Sequence, residues 1–260
     1  MKNKLFNFVM GRFIVMGFVS ANPSRRAETA YVEGKHYANP ALMIKRDDAI
    51  IGKTGDCETQ HSPFSTFKVV LALGGFDSGF LKTKDLPVIP YKKEYFGGKY
   101  KETLGDWYSP VLGKKHNWLM AQTPATFMKN SVVWFSHQIT QNLGKEKFQE
   151  YVSKLNYGNQ DVSGTLGKDD GLLNSWLGTS LKISVCEQVE FLEKLLANEL
   201  DVSKEAQEKT REILDREERW DGWKLYGKTG GGTEGWFIGW IEKDGQYIVF
   251  AQFIEKLGCI

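Results

Sequence analysis

"WKLYGKTGGGTEGWFIGWIEKDGQYIVFAQFI", residues 223–254, decides the fold. It contains three aromatic or β-branched runs separated by Gly-rich or Asp-Gly turns, the pattern of an antiparallel meander, with Asp244-Gly245 at the second turn. Upstream, from Phe64 to about Leu214, long apolar-periodic stretches predict helices, broken by the Gly- and Pro-containing segment from Gly74 to Pro124. Two helix starts are marked. Ser184-Val185-Cys186-Glu187 matches a capping box in full, and Ser203-Lys204-Glu205-Ala206, followed by Gln207, matches one loosely. Behind the first, Val185, Val189, Leu192 and Leu196 recur at helical spacing and read as core. Near the other end of the chain, "ALMIKRDDAIIGKTG" (41–55) sets two short apolar runs around Arg46-Asp47-Asp48, which predicts a β-hairpin. Strands, then helices, then strands imply an α+β fold. One antiparallel sheet draws on both chain ends, about 28–56 and 222–255, with a helical lobe, about 65–215, inserted between them.

With 260 residues, 41% of them hydrophobic, the chain is long enough for one large domain. Lysine plus arginine (34) nearly balance aspartate plus glutamate (32), so no field marks a nucleic-acid surface. The expected partner is a small molecule or another protein. Cys57, Cys186 and Cys259 lie far apart, and the four histidines form no H-x-x-x-H pattern, so no metal is expected. At the N-terminus, Lys2 and Lys4 precede an apolar stretch ending in the small-x-small Val19-Ser20-Ala21. Residues 1–21 therefore read as a secretory signal peptide cleaved near Ala21, leaving 22–260 as the mature domain. The alternative is a buried first element, because Arg12 leaves only Phe13 to Val19 as an uninterrupted apolar run. No later stretch is long and apolar enough to span a bilayer, so no membrane insertion is expected.

Inside the helical block, "SPFSTFKVVLALGGF" (62–76) places one lysine, Lys68, in an apolar run one turn after Ser65. At a helix start, positions i and i+3 share a face. The free N–H groups and positive dipole end there favour an oxyanion on an acyl group carried by Ser65. Lys68 either snorkels to water or is buried. If buried, its amine loses charge and becomes able to act as a base or to react with carbon dioxide. Two further motifs follow in order: Ser131-Val132-Val133 in "MKNSVVWFSHQIT" and Lys228-Thr229-Gly230 in "LYGKTGGGTEGWF". Their order is that of the S-x-x-K, S-D-N and K-T-G set used by serine β-lactamases and penicillin-binding proteins, with Ser-Val-Val in the second place. A second K-T-G at Lys53 precedes Ser65 and is followed by no meander, so it is set aside.

Adding Tyr157-Gly158-Asn159, "NSWLGTSLKIS" with Trp176, and "GWFIGWIE" (235–242), the chain resembles the class D, oxacillinase-type serine β-lactamases from about residue 60 to its end. The resemblance implies a transpeptidase-like fold and a periplasmic or secreted hydrolase that opens the β-lactam amide of penicillin-type antibiotics through a Ser65 acyl-enzyme. It implies no cofactor beyond carbon dioxide, which would carboxylate Lys68 into the general base, with the Trp176 indole N–H holding the carbamate. Ser131 would pass a proton to the departing lactam nitrogen, Lys228 would supply positive charge beside it, and Thr229 would bind the substrate carboxylate. The N–H groups of Ser65 and Gly231 would form the oxyanion hole. Val133, apolar where penicillin-binding proteins usually carry asparagine, would shield the carbamate, while Tyr157, Gly158 and Asn159 would shape the rim. An acylating but non-hydrolysing β-lactam sensor or penicillin-binding relative is the alternative. Family members usually continue into a C-terminal helix with a carboxylate-pairing arginine, and no arginine follows Arg219 here. Either the sequence is truncated or the carboxylate is held differently, and a missing helix would leave one sheet face uncovered.

Overall fold

The computed structural model describes residues 29–32, 35–96, 118, 120–232 and 234–256; the leader assigned to residues 1–21 lies outside them. The meander is formed by β5 (Trp223–Gly231), β6 (Glu234–Lys243) and β7 (Gln246–Lys256). Its register runs from Lys224↔Glu242 to Gly231↔Gly235 between the first pair and from Glu234↔Glu255 to Lys243↔Gln246 between the second. Asp244 and Gly245 both take positive φ, 51° and 76°, as a tight hairpin turn requires. The N-terminal strands β1 (Thr29–Val32), β2 (Lys35–Arg46) and β3 (Ala49–Thr54) complete the sheet, in the order β1-β2-β7-β6-β5-β4 with β3 on β2. The β2–β3 hairpin turns at Asp47 and Asp48, again with positive φ. Pro40 sits in β2 where the pairing to β7 slips between Ala38 and Ala41, a bulge being where a strand tolerates a residue without an N–H.

Among the described residues the sheet has two strands more than the sequence pattern indicated, β1 and a further one. β4 (Asp215–Trp220) reads DREERW, too charged to register as a strand, yet it pairs with β5 through Trp220↔Trp223 and Arg219↔Lys224. The signal was Asp221-Gly222, a second Asp-Gly pair with φ of 48° and 80°. As an edge strand, β4 needs few apolar residues, and its charges suit solvent.

Among the described residues, six α-helices make the other layer: α1 (Lys68–Asp77), α2 (Pro124–Asn130), α3 (Val133–Lys154, broken at Gly144), the single turn α4 (Gly171–Asn174), α5 (Val185–Ala197) and α6 (Lys204–Ile213). α1 runs on through Gly74 and Gly75, where the sequence pattern had placed a break. Packing explains it: a Cβ on Gly75 would come within 2.8 Å of Leu81, and one on Gly74 within 3.2 Å of Tyr151. α5 carries the full capping box of Ser184 and Glu187, and Ser203 caps α6 through Ala206 N–H. On α5, Val185, Val189, Leu192 and Leu195 are buried; Leu196, assigned to the core stripe, is half-buried.

β6 lies centrally, buried along Trp236–Ile241, and its alternate residues serve two faces. Trp236, Ile238 and Trp240 join the helical core, while Phe237 and Ile241 join a second cluster with Leu42, Ile44, Leu225, Ile248 and Phe250. Burying each large apolar side chain contributes about 1.5–3 kcal/mol. The second cluster corrects the expectation of an uncovered sheet face, since Phe250 and Ile241 are buried.

Candidate active site

A short 3-10 turn, Phe64–Phe67, leads into α1 and carries Ser65. At the turn's second position, the Ser65 N–H lies ahead of the first intrahelical acceptor. The chain is forced at Phe64, whose φ of 45° is unusual for a bulky residue. The turn is fastened from behind: Thr66 donates to Pro63 O (2.7 Å) and Gln188 donates to both Thr66 Oγ1 (3.0 Å) and the Tyr157 hydroxyl (3.1 Å). Tyr157 is fully buried against Phe67 and Phe191, so it props the nucleophile turn from inside and does not shape the rim. Asn159 does order a loop, donating to Ser180 O and accepting from Lys182 N–H.

Lys68 Nζ donates to Ser65 Oγ at 2.9 Å. Its side chain is entirely buried, and burial lowers its pKa to about 7, which settles the choice between snorkelling and desolvation. Trp176, also fully buried, stacks on Phe67 and lies edge-on to Phe148. Its indole Nε1 is buried with no hydrogen-bond partner. Ser62 holds that segment in place, donating to Trp176 O (3.0 Å) and accepting from Gly178 N–H (2.9 Å), while Trp236 Nε1 donates to Ser62 O (2.9 Å).

Two functional neighbours were not found from the sequence. One is Ser62. The other is His137 on α3, whose ring nitrogen Nε2 lies 3.1 Å from Leu173 O and whose ring meets Trp176 edge-on. Burial, and then the Lys68 charge, push its pKa down to about 4. His137 is therefore neutral near pH 7, and its Nε2–H donates to Leu173 O. Neither contact is local in sequence, and no motif announces it.

A second serine–lysine pair faces the first. Ser131 caps α2 in the left-handed conformation, φ 57° and ψ 40°, strain of the kind that gathers at functional sites. Lys228 on β5 donates to Ser131 Oγ at 2.9 Å and to Thr229 O at 2.8 Å. Lys228 is buried, and burial, then the Lys68 and Arg216 charges, hold its pKa well below the usual lysine value. Val133 opens α3 two residues beyond Ser131, half-buried against the core.

β5 brings its free edge beside Ser65. A Cβ on Gly230 would meet Pro63 O at 2.8 Å, and one on Gly232 would meet the Phe64 ring at 2.3 Å, so both glycines permit the close approach. β4 pairs with β5 only as far as Tyr226, and Gly227 N–H then donates to Leu214 O (2.9 Å). N–H groups alternate sides along a strand. Thr229 and Gly231 therefore point theirs to the same outer edge as Gly227, where no described strand pairs. Among the described residues the Thr229 hydroxyl also carries no hydrogen bond, so an acyl oxygen and an anionic group both find donors here. No metal-holding cluster of His, Cys, Asp and Glu occurs among the described residues.

A nucleophilic serine at a helix start, a buried lysine on it, a second serine–lysine pair and an open strand edge define a serine acyl-transferase of the penicillin-binding type. The family model described as the penicillin binding protein transpeptidase domain matches residues 16–258. The chain is 40% identical over 222 residues to beta-lactamase OXA-9 of Klebsiella pneumoniae, covering 79% of this chain and 76% of that protein. It is 38% identical to beta-lactamase OXA-1 of Escherichia coli over 75% of this chain and 67% of that one. Among solved structures, the OXA-427 class D β-lactamase superposes with a TM-score of 0.72 at 37% identity, covering 85% of this chain and 90% of that one. The chain belongs to the class D serine β-lactamase family.

Proposed function

We propose that the protein hydrolyses the β-lactam amide of penicillin-type antibiotics through an acyl-enzyme on Ser65, with N-carboxylated Lys68 as the general base. The observation that carries this reading is the fully buried Lys68 amine, 2.9 Å from Ser65 Oγ with its pKa near 7, together with the unpaired N–H of Trp176, which stacks on the adjoining Phe67. A buried donor without an acceptor costs about 1–3 kcal/mol, and a carboxylated Lys68 would give Trp176 one. Carbon dioxide bound there supplies an anionic base in place of an amine.

The chain's own groups do the rest. Ser65 gives up its proton on the Lys68 side and Oγ bonds to the lactam carbonyl carbon, with the oxyanion received by the Ser65 and Gly231 N–H groups. Ser131 passes its proton to the lactam nitrogen as the C–N bond breaks and is resupplied from Lys228. Thr229 binds the substrate carboxylate on the free edge. The proton taken from Ser65 passes from the Lys68 side to Lys228, restoring both groups; a water then gives a proton to the Lys68 side as its oxygen bonds to the ester carbon, and Ser65 Oγ leaves with that proton. Val133 keeps that side dry. Among the described residues no helix is long and apolar enough to cross a membrane. The basic-then-apolar start of the chain supports export and cleavage near Ala21, for which N-terminal sequencing of the secreted protein is the check.

The test is penicillin turnover by the purified chain with and without bicarbonate. Sustained hydrolysis that bicarbonate strengthens is expected. One stoichiometric burst in both conditions would replace this reading with that of an acylating sensor.

A further inference from the structure

Arg216 is a half-buried cation beside the site that the reaction above leaves unused. Its Nε is buried without a hydrogen-bond partner, and among the described residues no carboxylate pairs with its guanidinium. The carboxylates beside it in sequence are engaged elsewhere. Asp215 binds Arg219 through both oxygens, at 2.9 and 2.7 Å, and Glu217 binds Lys129 in the same two-pronged way, at 2.9 and 2.8 Å. Leaving a guanidinium unpaired in a partly buried place costs free energy that an apolar side chain would not.

Its position gives the charge a use. β4 pairs regularly at Trp220↔Trp223 and Arg219↔Lys224, then slips before Asp215↔Tyr226, so Arg216, Glu217 and Glu218 form the irregular stretch, with φ of 58° at Glu217. Here β4 leaves β5, and the free edge bearing Thr229 and Gly231 begins. Glu217 ties the same stretch to Lys129, two residues before Ser131. Arg216 is near enough to Lys228 for its charge to oppose protonation there, after burial and Lys68. It therefore flanks the Ser131–Lys228 pair, the side of the site that faces the leaving nitrogen. In penicillins the carboxylate sits on the carbon bonded to that nitrogen. A planar guanidinium receives a carboxylate through two parallel hydrogen bonds.

We propose that Arg216 is the guanidinium that receives the carboxylate of the β-lactam, at the foot of the free β5 edge and next to Thr229. The proposal rests on the reading that a β-lactam acylates Ser65. It assigns the anion to a bulged edge strand on the opposite flank of β5 from β7.

The experiment compares a penicillin with its carboxylate methyl ester on the wild-type chain, Arg216→Gln and Arg216→Lys, with melting temperatures alongside. Arg216→Gln should lower kcat/KM for the acid by about tenfold or more, about 1.4 kcal/mol, chiefly through KM, and leave the ester within about twofold. Arg216→Lys should restore part of the loss, and removal of an unpaired cation should leave the melting temperature unchanged or raise it. An acid-to-ester preference that survives Arg216→Gln overturns the assignment. So does an equal loss on both substrates with a lowered melting temperature, which would make Arg216 structural. A wild-type chain that is neither acylated nor active overturns the hydrolase reading itself, and is told apart by the absence of any Ser65 adduct.

Discussion

Two buried lysines each lie 2.9 Å from a serine, and their surroundings make them different reagents. Lys68 sits at the start of an apolar helix, and burial alone lowers its pKa. The Lys68 charge acts on a neutral histidine, and the indole stacked on the adjoining Phe67 has an N–H with nothing to donate to. Lys228 lies on a strand with an open edge, bonded to a backbone carbonyl and exposed to the charges of Lys68 and Arg216. The first pair is dry and short of an acceptor, so it suits an added anion on the lysine. The second is rich in cations and donors, so it suits a proton relay and an anionic substrate. On the proposed mechanism, similar serine–lysine geometry would serve two functions because the surroundings differ.

The sharpest way to break the comparison is at the nucleophile. Ser65→Ala should lose the acyl adduct in an intact-mass spectrum and reduce turnover by about 10⁴-fold or more, whereas Ser131→Ala should still form the adduct, more slowly. Stability should separate the pairs next. Lys68 has a folded pKa near 7 against 10.5 for the free side chain, so the unfolded chain binds its proton more tightly. Below pH 7 the full penalty applies. Between 7 and 10.5 the native amine is neutral while the unfolded one is charged, so stability rises with pH by about 1.4 kcal/mol per unit, and above 10.5 the penalty is gone. In carbon dioxide-free buffer, Lys68→Met should therefore exceed the wild type in denaturant unfolding by up to about 5 kcal/mol at or below pH 7, with the gap closing towards pH 10.5. Trp176→Phe tests the spare donor. It should lower turnover about 10- to 100-fold and make more of it recoverable with bicarbonate, while leaving penicillin acylation of Ser65 detectable. The smallest effect belongs to a region outside both pairs: Ser184→Ala, which breaks the α5 capping box, should cost about 1 kcal/mol of stability and leave turnover unchanged.

Local chemistry was legible where the signal is short-range. Asp244-Gly245 announced the β6–β7 turn, Ser184 and Glu187 announced α5, and the S-x-x-K spacing placed Ser65 and Lys68 on one face. β4 escaped because its residues are charged and its only mark was Asp221-Gly222. The break expected at Gly74 did not occur, because those glycines admit Tyr151 and Leu81 instead of turning the chain. Tyr157 was misplaced at the rim because burial is decided by Gln188, Phe67 and Phe191, which lie far from it along the chain. Ser62, His137 and Arg216 were invisible for the same reason: each acts through partners brought near only by the packed lobe and sheet.

The most direct measurement is a carbon-13 NMR spectrum of the protein equilibrated with labelled bicarbonate. One carbamate resonance is expected, absent from Lys68→Ala and retained in Lys228→Ala, which would show that surroundings and not serine contact choose the carboxylated lysine. No carbamate signal in the wild type, or one that survives Lys68→Ala, would contradict the assignment of Lys68 as the base.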